Sequence, residues 1–217
     1  MFFLFYLGLN VKQSKTSKRW LQEHFSDTFV KQAHDQGLRS RAYFKLEEMD
    51  KKENLFSKGM RIVDLGAAPG GWSQYISKKY AQQAEIFALD ILPMEPLPGV
   101  QFICGDFTQD DVLQQLMSMI DDKKIDVVIS DMAPNWSGCK HIDIPKAMYL
   151  SELALDFAKT MLRPGGSFLI KLFQGEGFDQ YLREVKLHFK KVSMLKPQAS
   201  RDRSREVYLL GKGFKLA

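Results

Sequence analysis

The chain has 217 residues, 45% of them hydrophobic and 26% charged, with a formal net charge of +5. That length holds one domain with a full core, and the composition is globular rather than fibrous or low-complexity. The only two cysteines, Cys104 and Cys139, form no C-x-x-C pair, and His24, His34, His141 and His188 are scattered; this excludes a disulfide framework, offers no zinc site, and leads us to expect a cytoplasmic protein with free thiols and no metal.

The charge is uneven. Residues 1–45 carry 8 Lys/Arg against 3 Asp/Glu and residues 186–217 carry 9 against 2, so the ends stand at +5 and +7 and the middle at −7. Basic ends on an acidic centre suit contact with a polyanion, although solvated surface accounts for most isolated lysines.

Met1 to Asn10 reads MFFLFYLGLN. It is too short to span a bilayer, and its lysines follow the apolar run instead of preceding it, so neither a membrane anchor nor a signal peptide is expected. Residues 1–18 read as a disordered apolar and basic extension or a misassigned start, and residues 19–217 as a single domain. Helical patterning begins near Trp20, with Leu21, Phe25, Phe29 and Val30 as apolar positions. A second helix fits Ser40 to Met49, with Ser40 as N-cap and Ala42, Leu46 and Met49 on one face. Arg39, Arg41 and Lys45 interleave with Tyr43 and Phe44, a mixture that suits phosphate contacts and base stacking on RNA. Taken alone, Lys45 reads as a surface lysine.

The centre of the chain is the stretch from Met60 to Tyr75. An apolar run ends in Asp64-Leu65, Gly66 to Gly71 are nearly all very small, and a helical pattern follows. Strand, tiny-residue turn and helix is the order in which α/β folds bring backbone close to a cofactor. The spacing is not G-x-G-x-x-G, which weakens a dinucleotide reading, and Asp64 beside the turn suits an amine-bearing ligand better than a pyrophosphate. Glu85–Asp90 reads as a second strand; Asp90, 24 residues beyond Gly66, is placed to accept both hydroxyls of a ribose. Gln101–Asp106 repeats the pattern, with Asp106 a possible acceptor for an exocyclic amine such as adenine's. A helix near Val112–Ile120 follows, then a strand Ile125–Asp131 and a Pro-stiffened loop, Met132–Asn135. A long helix from Pro145 to Leu162 is expected to stop at Arg163-Pro164-Gly165-Gly166. Ser167–Lys171 is a fifth strand, Phe178–Phe189 a helix, and Lys191–Leu195 with Glu206–Leu210 a final strand pair around a basic loop, Ser200–Arg205. Asp90, Asp106, Asp131 and Lys171 thus end successive strands, with Asp64 close to the end of the first. In a parallel sheet these termini share one edge, where ligands bind.

At this point the sequence resembles a known family, the bacterial RrmJ/FtsJ (RlmE) heat-shock methyltransferases. The motifs that carry the resemblance are Arg19–Phe25, Gly37–Leu46, Asp64–Gln74, Ser130–Asn135, Asp143–Leu150, Lys171–Phe178 and Ser204–Tyr208, which together span Lys18 to Lys212. Only the first ten residues depart from the pattern. The resemblance implies a Rossmann-like α/β fold with a mostly parallel sheet, one antiparallel strand near the C-terminus and helices on both faces. It implies S-adenosylmethionine as methyl donor, leaving S-adenosylhomocysteine, and a uridine ribose 2′-oxygen in the A-loop of 23S ribosomal RNA as acceptor. The assembled 50S subunit is the implied partner, and a monomer is expected because no oligomer signal stands out. It also implies a catalytic tetrad of Lys45, Asp131, Lys171 and Glu206, and cofactor contacts at Gly70, Trp72, Asp90, Asp106 and Asp131. Lys45 and Glu206 rest on the resemblance alone; the strand-end pattern had already drawn out Asp90, Asp106, Asp131 and Lys171.

A ribose hydroxyl is a weak nucleophile, so such an enzyme must align oxygen, methyl carbon and sulfur and take up one proton. A lysine does this only when neutral, which near pH 7 means lowering its reference pKa of about 10.4 by about 3, or roughly 4 kcal/mol. A neighbouring cation and partial burial act in that direction, and carboxylates act against it. Two other readings stay open on the residues: a non-catalytic RNA-binding or ribosome-assembly factor, and a 2′-O-methyltransferase of transfer RNA or a messenger cap.

Overall fold

The computed structural model describes residues 27–80, 83–121, 123–201 and 204–216. The extension over residues 1–18, the helical start at Trp20, the Arg19–Phe25 motif and Arg203 lie outside the described residues. Among the described residues, chain order begins with two helices, α1 (Thr28–Asp35) and α2 (Ala42–Glu53), followed by β1 (Arg61–Leu65), α3 (Gly71–Tyr80), β2 (Glu85–Asp90) and β3 (Val100–Cys104). Then come α4 (Asp110–Ile120), β4 (Ile125–Ser130), α5 (Lys140–Met161), β5 (Leu162–Phe173), α6 (Phe178–His188), β6 (Phe189–Leu195) and β7 (Glu206–Phe214).

The strands form one sheet in the order β3-β2-β1-β4-β5-β7-β6. β7 pairs antiparallel with both β5 and β6, so it alone runs against the other six. This is the mostly parallel sheet with one reversed strand that the sequence led us to expect. Alternation along the strands builds a core on each face. Val63, Phe87, Val128, Phe168 and Leu209 point to α4, α5 and α6, where they meet Leu116, Leu155 and Val185. Their neighbours Ile62, Ile86, Val127, Leu169 and Leu210 point to α2 and α3, against Leu46, Met49, Trp72 and Ile76. At about 25 cal/mol per Å² of apolar area, these two layers supply most of the drive to fold. Among the described residues, no helix is long and apolar enough to cross a membrane.

Four local expectations change. Ser40 is not a helix cap: α2 starts at Ala42 after Arg41, without a side-chain cap bond. Ser40 instead lies against α3, where a Cβ on Gly71 would come within 2.3 Å of its Oγ. Arg163–Gly166 does not form a turn after α5. β5 begins at once with Leu162, and Gly165 at φ +82° sits where the β4–β5 register shifts, so the glycines absorb a bulge within the strand. α5 starts earlier than expected, at Lys140, and carries Pro145 in its second turn. Lys171 is two residues short of the end of β5, while Asp106 and Asp131 lie just past the ends of β3 and β4.

Candidate active site

β1 and β4 are neighbours in the sheet, with β2 and β5 continuing on opposite sides. The strand order therefore reverses between these two parallel strands, the switch point beyond whose carboxyl ends α/β sheets form their ligand crevice. Gly66, the first residue after β1, has φ +78°, and a Cβ there would come within 2.6 Å of the Met132 side chain and 2.8 Å of its backbone. Backbone conformation and space thus both demand glycine. The amides of Gly66 and Ala67 donate to Leu89 O at 2.8 and 3.1 Å. The Ala68 amide donates to Asp90 Oδ2 and the Leu92 amide to Asp90 Oδ1, each at 2.8 Å. Asp90 therefore ties the β1 loop to the β2 loop, and each oxygen keeps a further lone pair for a ligand hydroxyl. Burial pushes its carboxyl above the ordinary range, against the pull of the Leu92 and Ala68 amides. Asp106 holds the next turn, accepting from the Thr108 amide at 2.9 Å and the Thr108 hydroxyl at 2.8 Å through Oδ1.

Asp64 is fully buried, and its Oδ2 accepts from Ser73 Oγ at 2.6 Å. Its Oδ1 is buried without a partner. Burial, opposed by the Ser73 bonds and reinforced by the charges of Asp131 and Asp90, pushes this carboxyl up to about 7. A lone acidic oxygen buried beside a glycine loop fits a ligand ammonium. Gly70 (φ +104°) is hemmed in by Arg39 and Met94, either of which a Cβ would approach within 2.7 Å. The Arg39 guanidinium donates to Pro69 O at 3.3 Å, Glu95 O at 2.7 Å and Pro96 O at 2.8 Å, buckling the loop to the segment after β2. Trp72 faces the core, its indole N–H buried without an acceptor, so any cofactor contact from this residue falls to its main chain at the first turn of α3. An ammonium for Asp64, ribose hydroxyls for Asp90 and an exocyclic amine for Asp106 are the groups that S-adenosylmethionine carries.

The remaining residues meet at the other side of the crevice. Lys45 Nζ on α2 donates to Glu206 Oε1 on β7 at 2.6 Å, and both side chains are nearly buried, at 7% and 12% exposure. Lys45 also donates to Tyr208 OH at 3.2 Å, and that hydroxyl donates to Asp131 Oδ1 at 3.2 Å. Lys171 Nζ donates to Asp131 O at 2.6 Å and lies 3.1 Å from Asp131 Oδ1. Lys45, Glu206, Tyr208, Asp131 and Lys171 form one continuous network, set by the β5–β7 register that places Lys171 opposite Tyr208 and Phe173 opposite Glu206. Burial pushes the Glu206 carboxyl up, but the charge and hydrogen bond of Lys45 outweigh it and hold the carboxyl below the ordinary value. Burial, then the charges of Asp131 and Glu206, raise Tyr208 far above the usual phenol range, so it stays neutral. Among the described residues, no cluster of His, Cys, Asp and Glu could hold a metal ion.

Comparison with known proteins gives this crevice its context. A family model described as FtsJ-like methyltransferase matches residues 38–214. The chain belongs to the FtsJ-like methyltransferase family. Ribosomal RNA large subunit methyltransferase E from Legionella pneumophila strains Corby and Paris is 56% identical over 206 residues, 95% of this chain and 100% of each relative. A Plasmodium falciparum protein described as a ribosomal RNA methyltransferase shares 32% identity at a TM-score of 0.73, covering 81% of this chain and 98% of that one. Human methyltransferase-like protein 13, solved with S-adenosylhomocysteine, shares the fold at a TM-score of 0.56 and 16% identity, with 74% of each chain covered. The chain is therefore an S-adenosylmethionine-dependent methyltransferase.

Two features of this FtsJ-like site escaped the sequence reading. Tyr208 stands inside a quoted motif, but no role was drawn from it; its i, i+2 spacing from Glu206 on a strand puts both on one face and is the signal that finds it. The basic residues around α1 are also less free than expected. Asp27, the cap of α1, is ion-paired with Arg41, and Arg201 Nε lies 3.6 Å from the same carboxylate. Of the basic loop, Arg205 is exposed, whereas Arg201 is fixed to the fold.

Proposed function

We propose that this enzyme methylates the ribose 2′-oxygen of a uridine in the A-loop of 23S ribosomal RNA, with the assembled 50S subunit as its cytoplasmic partner. The observation that carries the reading is the pairing of Lys45 with Glu206 and of Lys171 with Asp131, joined through Tyr208 beside the glycine loop. S-adenosylmethionine supplies an already activated methyl group when bound. The protein's residues then have only to orient the hydroxyl and take its proton. Lys171 is the proton acceptor, held by the Asp131 carbonyl and carboxylate. Lys45 and Glu206 fix each other and orient the hydroxyl, and the neutral Tyr208 phenol ties the two pairs together. Asp64, Asp90 and Asp106 hold the donor's ammonium, ribose and adenine amine, with the main chain of Gly70 and Trp72 closing over it and Asp131 bordering both halves. Residues 19–217 form the single methyltransferase domain, which acts as a monomer, and residues 1–18 are an extension of it. The 56% identity to enzymes named for the large ribosomal subunit supports that substrate. The test is transfer of labelled methyl from S-adenosylmethionine to 50S subunits from a strain lacking the enzyme, with primer extension to map the modified ribose. Label at an A-loop uridine is the expected result. Binding without transfer would make the protein an assembly factor, and label confined to another RNA would move the substrate.

A further inference from the structure

Trp136 has no part in the chemistry above, yet it stands next to it. It lies in the loop between Asp131 and α5, and 51% of its surface is exposed. The loop is not loose: Asp143, buried in the first turn of α5, accepts from the Ser137 amide at 2.9 Å, the Ser137 hydroxyl at 2.8 Å and the Gly138 amide at 2.9 Å. The indole packs edge-on to Phe173, with ring centroids 4.8 Å apart at 83°. Phe173 is the register partner of Glu206, and Lys171 Nζ sits 5.8 Å from the Phe173 ring centroid. A large apolar surface is thus held open to solvent one aromatic ring away from Lys171 Nζ.

On the reading proposed above, we propose that Trp136, braced by Phe173, is the platform on which the base of the target nucleotide stacks. In a nucleoside, the base and the 2′-hydroxyl hang from adjacent ribose carbons, so a hydroxyl at Lys171 brings its base to the wall beside Lys171. Proteins that recognise loop and bulge nucleotides of folded RNA engage bases splayed out of their stack, and an aromatic face replaces the lost neighbour. Stacking needs no hydrogen bond from the base, and the amide and hydroxyl of Ser137, next to Trp136, are already committed to Asp143. The ligand is therefore an unstacked nucleobase, gripped by its π-face.

The experiment is steady-state methyl transfer to undermethylated 50S subunits by the wild-type enzyme, Trp136→Ala and Trp136→Phe, with cofactor affinity and the pH profile of kcat measured on each. Trp136→Ala should lower kcat/KM for the subunit about 5- to 150-fold, the loss of one base–aromatic stack. Trp136→Phe should recover most of it, and neither variant should change cofactor affinity or the pH profile. A wild-type enzyme that transfers no methyl to subunits overturns the functional reading and this platform with it. An active wild type with Trp136→Ala equally active overturns the platform alone. So does a Trp136→Phe variant as impaired as Trp136→Ala, or a shifted pH profile, since either would make Trp136 a prop for Lys171.

Discussion

Asp64 and Glu206 are both carboxylates withdrawn from water, one under the glycine loop and the other across from Lys45. Asp64, with a hydroxyl on one oxygen and nothing on the other, is driven up to about 7. Glu206, against a lysine at 2.6 Å, is held below its ordinary value. Asp64 is the more deeply buried and lacks a counter-charge, whereas Glu206 has Lys45 against it, so the two carboxyls shift in opposite directions. On the roles proposed above, the transfer side is pre-assembled and the cofactor side is completed by what binds.

The comparison is broken most directly on the assembled side. Lys171→Arg keeps a cation but not a proton acceptor. Single-turnover methyl transfer with saturating cofactor and RNA should fall about 10²–10⁴-fold, as for Lys171→Ala, while cofactor binding survives in both. A near-wild-type rate would show that charge alone suffices.

The incomplete side is tested by pH. A carboxyl with a raised folded pKa keeps its proton in the native state while the unfolded chain has lost it. Stability of the free enzyme should therefore fall as pH rises from about 4 to about 7, by on the order of 4 kcal/mol from Asp64. Asp64→Asn should remove that slope, read as urea midpoints between pH 5 and 7.5. In the wild type, cofactor binding below pH 7 should release a proton. An unchanged slope in Asp64→Asn would place the titration on another group.

Asp90→Ala sharpens the same side. Calorimetry should show cofactor binding weakened by roughly 1.5–3 kcal/mol, the worth of a hydrogen bond to a charged acceptor. Unchanged affinity in a folded variant would remove the ribose role. The smallest effect belongs to the surface. Arg205→Ala should flatten the salt dependence of RNA binding by at most about 0.9 log units and leave cofactor affinity alone. Arg201 is a poorer probe because its partner Asp27 also caps α1.

The same contrast explains what could be read from the chain. The cofactor side is made locally: Asp106 binds a turn two residues on, and Asp64 binds Ser73 nine residues on. Strand periodicity and a small-residue loop expose such a site directly. The transfer side joins Lys45 to Glu206 across 161 positions and Lys171 to Asp131 across 40. No local pattern encodes a register between β5 and β7, which is why Lys45 looked like surface until the resemblance placed it. Ser40 shows the same limit in miniature, since its supposed capping role gives way to a contact with Gly71 that only the folded chain makes.

The reversed strand also bears on biosynthesis. Among the described residues, β6 has β7 as its only neighbour in the sheet. A chain that lacks β7 has no seat for β6, and it also lacks Glu206 and Tyr208. On the roles proposed above, methyl transfer awaits the final strand, which is made last and sits between β5 and β6. Chains truncated just before Glu206 should transfer nothing; transfer from such chains would contradict this order.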